Sequence, residues 1–362
     1  MQSFCFLHTS DLHLGRKGRE EDVWKQWQKI CEIALNRQPE VLLIAGDVFD
    51  NGDPSPTLKE EFCNSLKALI AKGISVLIIP GNHDVKKGDA LKGIEKTGAK
   101  VFTNYQVFCI SDIAFHLFPF CSQWTGQDLV KMKQKVKAKF EVGVCHASYV
   151  ALPEIFADLG DSQAIHIPLT QEDIITLGFD YFALGHYHNA KHWQVGNTQC
   201  VYPGSIEPLS FKEKEKRYIF LVECNEALKI TPIPIGCQRS YEEIVLQIDS
   251  QGVDALWPKI EELSLRLGPC FLRLTLRGIV ETVRCQNWQS QVSAFLDKKQ
   301  IKVIWQDETV DLNWIERDTL AKQFLEICRQ RARKSPDKDY WRRVFYRGIS
   351  LLRQCKDAYK KR

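Results

Sequence analysis

Hydrophobic residues in the first 85 positions gather into three short runs, "FCFL" at 4–7, "VLLIA" at 41–45 and "SVLII" at 75–79. Between the runs, apolar residues recur at three- and four-residue spacing. Trp24, Trp27, Ile30, Cys31 and Leu35 mark one such face and predict a helix over 21–37, and Thr57 to Ala71 reads as a second. Near-continuous apolar runs belong to strands buried on both faces, so their alternation with helices predicts a sheet covered on each side.

After Lys100 the runs become shorter strands: "VFTNYQVFCI", "IAFHLFPF", "EVGVCHAS", "FDYFALGH", "QCVYPGS", "RYIFLVEC" and "LKITPIPI". The interruption at 121–140 ends in "KMKQKVKAKF", a basic and helix-like segment. Two sheets packed face to face with outer helices is the architecture this pattern implies. The Pro-rich "TPIPIG" ending at Gly236 reads as a linker. Residues 241–310 then alternate strand, helix, strand, helix, strand, a small α+β module, and helical stretches follow near 315–333 and 338–359. The expected domains are therefore 1–236, 237–310 and 311–362.

Composition adds limits. A length of 362 residues suits about two domains of roughly 150 residues each. No apolar run approaches the roughly 20 residues that span a bilayer. No basic segment followed by an apolar stretch opens the chain, so the expectation is no signal peptide and a cytoplasmic protein. The thirteen cysteines include no C-x-x-C pair, which argues against a disulfide scaffold and a thiolate zinc site. The net charge of +4 is unevenly placed: residues 321–362 carry +10, leaving the first 320 residues at −6. A basic tail on a mildly acidic body suits an anionic partner such as nucleic acid, and equally a solvated terminal helix.

Candidate chemistry sits where apolar strands end. Asp11 and His13 follow the first run; Asp47 and Asp50 lie in "GDVFD"; Asn82, His83 and Asp84 lie in "GNHD"; His146 follows "EVGVC"; His186 and His188 lie in "GHYH". Loops at the carboxyl ends of parallel strands converge on one place, and glycines at 46, 81 and 185 permit sharp turns and close approach. Taken singly, each motif has a bland reading: a turn, a hydrogen-bonded core histidine or a surface strand. Together, these oxygen and imidazole donors suit a two-metal site in which one aspartate bridges both cations.

In this order the motifs D-x-H, G-D-x-x-D, G-N-H-D, H and G-H-x-H resemble the calcineurin-like metallophosphoesterase superfamily. The resemblance covers residues 11–188. It implies a four-layered α/β/β/α sandwich and two divalent metal ions, with manganese as the family's usual metal. It also implies a ligand distribution: Asp11, His13 and His188 on one metal, Asn82, His146 and His186 on the other, and Asp47 between them. His83 would then be a non-ligand catalytic histidine, with Asp50 orienting its ring and holding it protonated.

"LHTSDLHLG", "LLIAGDVFD", "PGNHD" and "YPGS" together look like the DNA-repair exonuclease branch, the SbcD-type nucleases and their relatives in double-strand-break repair. That likeness implies metal-bound hydroxide attacking a DNA phosphodiester, exonucleolytic with possible endonucleolytic action. It also implies a capping domain at 237–310 that contacts DNA, although this module is not markedly basic. A coiled-coil, SMC-like ATPase of the SbcC type would dock on the C-terminal segment, where Trp341, Phe345, Leu352 and Cys355 share a helical face. Packing on the protein's own core is the other reading of that face, and a homodimer is compatible. Arg16, Lys17, Arg19, Lys86 and Lys87 directly follow ligand motifs and would meet phosphates without reading bases. Two rivals stay open: a small-molecule phosphodiesterase or phosphomonoesterase on the same scaffold, and a non-catalytic scaffold protein.

Overall fold

A computed structural model describes residues 4–86, 88–151, 166–248, 252–280, 282–337, 340–341, 343–345, 347–349 and 351–352. They form two compact units, Met1–Gln238 and Arg239–Arg362.

The first unit contains two six-stranded sheets. One comprises β1 (Phe4–Thr9), β2 (Val41–Ala45), β3 (Ser75–Ile79), β4 (Lys100–Val101), β11 (Tyr218–Cys224) and β12 (Leu228–Pro234), in the order β12-β11-β1-β2-β3-β4. The other comprises β5 (Gln106–Ile110), β6 (Ile113–Phe118), β7 (Phe140–His146), β8 (Tyr181–Gly185), β9 (Lys191–Val195) and β10 (Thr198–Tyr202), in the order β5-β6-β7-β8-β10-β9. Helices α1 (Glu20–Arg37) and α2 (Pro56–Ile70) cover the first sheet; α3 (Gly126–Met132) and α4 (Gln171–Leu177) cover the second.

Three apolar layers follow from strand periodicity. Along β2, Leu42 and Ile44 face α1 and α2, packing with Trp27, Ile30, Phe62 and Leu66. The intervening Val41, Leu43 and Ala45 face the second sheet and meet Phe115, Val142, Val144 and Tyr181. Beyond that sheet, Cys145, Phe182 and Leu184 pack against Leu129, Ile174 and Leu177. Strands buried on both faces need apolar side chains at every position, which is why the runs are unbroken. The result is the expected α/β/β/α sandwich.

Strands β1, β2 and β3 are mutually parallel, as are β6, β7 and β8. Each set therefore delivers its carboxyl ends to a single sheet edge. Backbone bonds sew the loops there: Asp11 N donates to Gly46 O (3.0 Å), His13 N to Asp47 O (3.0 Å) and Leu14 N to Val48 O (2.9 Å).

Two local readings are corrected. "TPIPIG" is not a linker: its residues through Pro234 belong to β12, an edge strand paired antiparallel with β11. Proline is tolerated there because an edge N–H has no ladder partner to lose. The basic segment at 131–140 is helical only to Met132, and Lys133 is held in place, bonding Leu177 O (2.7 Å) and Glu141 Oε2 (2.8 Å). The β9–β10 hairpin, turning at Gly196, was not legible from the sequence because "KHWQV" shows little apolar alternation.

The second unit holds β13 (Ser240–Gln247), α5 (Trp257–Arg266), β14 (Cys270–Val280), α6 (Thr282–Asp297) and β15 (Ile301–Asp311). All three strands are parallel, so the module is a βαβαβ repeat rather than α+β. Leu246, Leu272, Leu274 and Ile301 pack under Ile260, Leu263, Trp288 and Val292. Helices α7 (Leu312–Arg317) and α8 (Thr319–Lys334) follow. The face expected to dock a partner turns to this unit's own core: Phe345 and Ile349 are buried against Ala321 and Cys328, with Trp341 and Leu352 beside them. Cys355 lies outside the described residues.

Candidate metal centre

The five motifs do converge. His13 Nε2 lies 3.1 Å from His188 Nε2 and 3.8 Å from Asp47 Oδ2. His188 Nε2 is 3.9 Å from Asp11 Oδ1. His146 Nε2 stands 3.0 Å from Asn82 Oδ1, 3.3 Å from Asp47 Oδ2 and 4.0 Å from Asp11 Oδ1. Donor atoms of Asp11, His13 and His188 lie within 4.8 Å of one another, as do those of Asp11, Asp47 and His146. Asp11 belongs to both groups, and Asp47 Oδ2 lies near a histidine of each, His13 and His146.

Backbone conformation shows what the convergence costs. Asp11, His13, Asp47 and His186 all have positive φ, 52°, 48°, 51° and 98°. This region is unfavourable for non-glycine residues, and such strain persists only where the surroundings over-determine it. Two glycines make the approach possible. A Cβ at Gly81 would collide with Asp47, and one at Gly185 with Ala45 O and the His146 ring.

Hydrogen bonds select which ring nitrogen faces inward. His146 Nδ1 donates to Ala45 O (2.9 Å), leaving Nε2 toward Asn82 and Asp47. His188 Nδ1 likewise donates to Glu213 Oε1 (3.2 Å), whereas His13 Nδ1 lies 3.3 Å from Asp50 Oδ1 without making a hydrogen bond. Asp11 accepts His186 N on both oxygens at 3.1 Å, and Ser10 Oγ also donates to it.

The electrostatics call for positive charge. Burial opposes ionisation of Asp47, but His146, His13 and His83 outweigh it and hold the carboxyl below the usual range. Burial alone would depress His146, yet Asp47 and Asp11 push it up to about 9. Burial, followed by the neighbouring His146, drives His186 well below the ordinary histidine value. His186 Nε2 is buried with no hydrogen-bond partner among the described residues. An unpaired buried nitrogen is costly in a native protein, and a cation resolves it. With oxygen and imidazole donors and no thiolate, the cluster fits divalent metal ions.

Not every expected residue plays the part foreseen. His83 is oriented by Asp50, but through its backbone: His83 Nδ1 donates to Asp50 O at 2.8 Å. The Asp50 carboxylate turns instead to His13 and to Arg16 Nη1, 3.2 Å away. Burial lowers the His83 pKa, so the protonated ring expected from Asp50 is not favoured. Arg19 is corrected outright. It is 3 % exposed, pairs with Glu207 (2.5 Å) and Asp22 (2.9 Å), and donates to Pro208 O (2.7 Å), so it offers nothing to a phosphate. The Arg16 side chain is 41 % exposed, and Lys17 and Lys86 are exposed; Lys87 lies outside the described residues.

Several contributors went unseen. Asp84, ambiguous in sequence, accepts Val48 N (3.2 Å), Phe49 N (2.9 Å) and Gly81 N (2.9 Å), stapling the loop after β2 to the loop after β3. Tyr202 and Ser205 of "YPGS" clamp the two histidine loops. Tyr202 Oη donates to Ala147 O (2.7 Å), beside His146, and Ser205 N donates to His188 O (3.0 Å). His166 packs its ring 5.1 Å from that of His186. Glu213, in the charged stretch "FKEKEKR", lies 3.2 Å from His188 Nδ1. Asp84 and "YPGS" stood in motifs whose task was not legible, and His166 and Glu213 carry no local signal, because each acts on a loop distant in sequence.

Comparison with known proteins agrees with this geometry. The family model described as calcineurin-like phosphoesterase matches residues 5–190. The chain is 21% identical over 330 residues to the "Uncharacterized metallophosphoesterase YhaO" of Bacillus subtilis, covering 83% of this chain and 78% of that protein. It is 25% identical over 252 residues to the "DNA double-strand break repair protein Mre11" of Methanopyrus kandleri, covering 60% of this chain and 53% of that one. It is 27% identical over 278 residues to one component of the SbcCD nuclease of Staphylococcus epidermidis, covering 66% and 71%. This chain thus spans about half the length of the Methanopyrus protein.

Proposed function

Because the chain belongs to the calcineurin-like phosphoesterase family, a metal-dependent group of phosphoester hydrolases, we propose that it is a two-metal phosphodiesterase acting on DNA, an SbcD-like repair exonuclease. The observation that carries this reading is the gathering of donor atoms of Asp11, His13, Asp47, Asn82, His146 and His188 in one strained loop cluster, with His186 held beside it by its backbone N–H on Asp11 and its buried Nε2 unpartnered among the described residues. Nuclease relatives at 25–27% identity support DNA as the substrate. So do the half-buried Arg16 and the exposed Lys17 and Lys86 after the ligand motifs.

In this reading Asp11, His13 and His188 hold one divalent ion, Asn82, His146 and His186 the other, and Asp47 serves both, with manganese as the metal. Bound there, the pair supplies Lewis-acid stabilisation of a phosphoryl group and a nucleophile at neutral pH. The protein's own residues do the rest. His83, its Nδ1 donating to Asp50 O, presents an Nε2 lone pair that takes up a proton from water and then passes it to the leaving oxygen. Arg16, anchored on Asp50, meets an incoming phosphate. The second unit serves as the capping module that contacts DNA. A coiled-coil ATPase of the SbcC type, in a cytoplasmic DNA-repair or recombination complex, would meet exposed α8 residues such as Leu320 and Ile327 rather than the buried Phe345 face.

The test is digestion of end-labelled duplex and single-stranded DNA with manganese, with His83→Ala beside the wild type. Metal-dependent trimming that falls by about 10²–10⁴-fold in the variant is expected of a proton-transfer residue. Hydrolysis of bis-p-nitrophenyl phosphate with DNA left intact, even after addition of a coiled-coil ATPase partner, would transfer the assignment to a small-molecule diesterase.

A further inference from the structure

We propose that Glu213 is a positioning residue for the metal centre: its carboxylate fixes the tautomer and direction of His188. The inference rests on the reading of His188 as a ligand. In sequence Glu213 lies in "FKEKEKR", residues 211–217, which looks like an ordinary solvated charge run. The fold separates its members. Lys212, Lys214, Glu215 and Lys216 are exposed, whereas Glu213 is 7 % exposed and Arg217 1 %.

A buried carboxylate is tolerated only when its oxygens are satisfied. Oε1 meets His188 Nδ1 and the hydroxyl of Ser210, each at 3.2 Å. Oε2 accepts Ser205 Oγ (2.8 Å) and Leu209 N (3.1 Å), with Arg217 Nη1 at 3.6 Å. A carboxylate only accepts, so His188 carries its proton on Nδ1 and turns the Nε2 lone pair toward Asp11 and His13. Carboxylate support of this kind orients an imidazole ligand and raises its basicity.

Arg217 holds the same loop by its backbone. Its Nη1 donates to His188 O (2.7 Å) and Ser205 Oγ (3.1 Å), and its Nη2 to Asn189 Oδ1 (3.1 Å). Arg217 thereby places the main chain, while Glu213 sets the ring. Removing the Glu213 charge should loosen one metal position and spare the other, because nothing in this network touches Asn82 or His146.

The experiment measures manganese binding to the full chain by calorimetry, metal content after dialysis, and the visible spectrum of the cobalt-loaded protein. Wild type is compared with Glu213→Gln, and folding is checked by circular dichroism. We expect two bound ions in the wild type, and in Glu213→Gln one retained at wild-type affinity and one weakened about 10–100-fold, with an altered cobalt spectrum. Two ions at wild-type affinity in the variant overturn the proposal, as does equal weakening of both, which marks a general structural role. A wild type that binds no divalent ion sinks the metal-centre reading itself and this inference with it. If Glu213→Gln does not fold, Glu213→Asp keeps the charge but withdraws it by one methylene from His188 Nδ1; selective weakening of one ion supports the role, and unchanged binding of both refutes it.

Discussion

His8 is wholly buried in the seam between the two sheets, its Nδ1 2.9 Å from the hydroxyl of Tyr181. Burial lowers its pKa to about 3, so the folded protein keeps the ring neutral. The unfolded chain binds the proton near the ordinary value of about 6.5. Its stabilising contribution is therefore complete above pH of about 6.5 and is lost as pH falls toward 3. Replacing His8 with Phe should lower the urea midpoint at pH 7.5, because the Tyr181 hydroxyl loses its partner. The same substitution should flatten the decline toward pH 5; an unchanged decline would show that His8 does not contribute. At this scale sequence reading gathered residues whose chemistry is their own, as with His146, whose Nε2 lies 3.3 Å from Asp47 Oδ2. It failed where the task is set by what arrives beside it. Arg19 resembles Arg16 in sequence, yet one is sealed by Glu207, 188 positions away, and the other is open.

At the scale of elements, strands were legible and loops were not. A strand buried on both faces writes its own pattern, and β1, β2, β3, β7 and β8 lie where the apolar runs placed them. The staples that give the loops their shape leave no such trace. Asp84 accepts three backbone N–H groups that tie the β2 loop to the β3 loop, and burial beside Asp47 raises its pKa to about 7. In Asp84→Asn one of those N–H groups faces an amide donor, at a cost of about 1–3 kcal/mol. We expect a matching fall in the urea midpoint at unchanged slope, together with lower turnover of a phosphoester substrate, because Asp47 and His83 ride on the two loops. Full stability in the variant would mean that the loops hold each other without the staple.

For the whole molecule, the two units give metal removal a local signature. A cation at 100 times its dissociation constant stabilises the state that binds it by about 2.7 kcal/mol. Stripping with a chelator should therefore lower the melting temperature and cut hydrogen-exchange protection in the loops after β1, β2, β3, β7 and β8. Protection across β13, β14 and β15 should stay as it was. Equal loss in both units would contradict a centre confined to Met1–Gln238.

The amino-acid sequence by itself determined the layers and the donors. Apolar periodicity is a property of each strand alone, and a side chain's oxygen or nitrogen donor is its own wherever the fold carries it. Only the tertiary structure decided which face of the Asp50 peptide orients His83, that Arg19 is closed to a ligand, that "TPIPIG" is an edge strand, and that Phe345 serves its own core. It also drew Glu213 out of a surface charge run and set it behind His188. Each of those outcomes depends on a partner brought from far along the chain. A charged side chain's environment, unlike a strand's hydrophobic period, is not written in its neighbours.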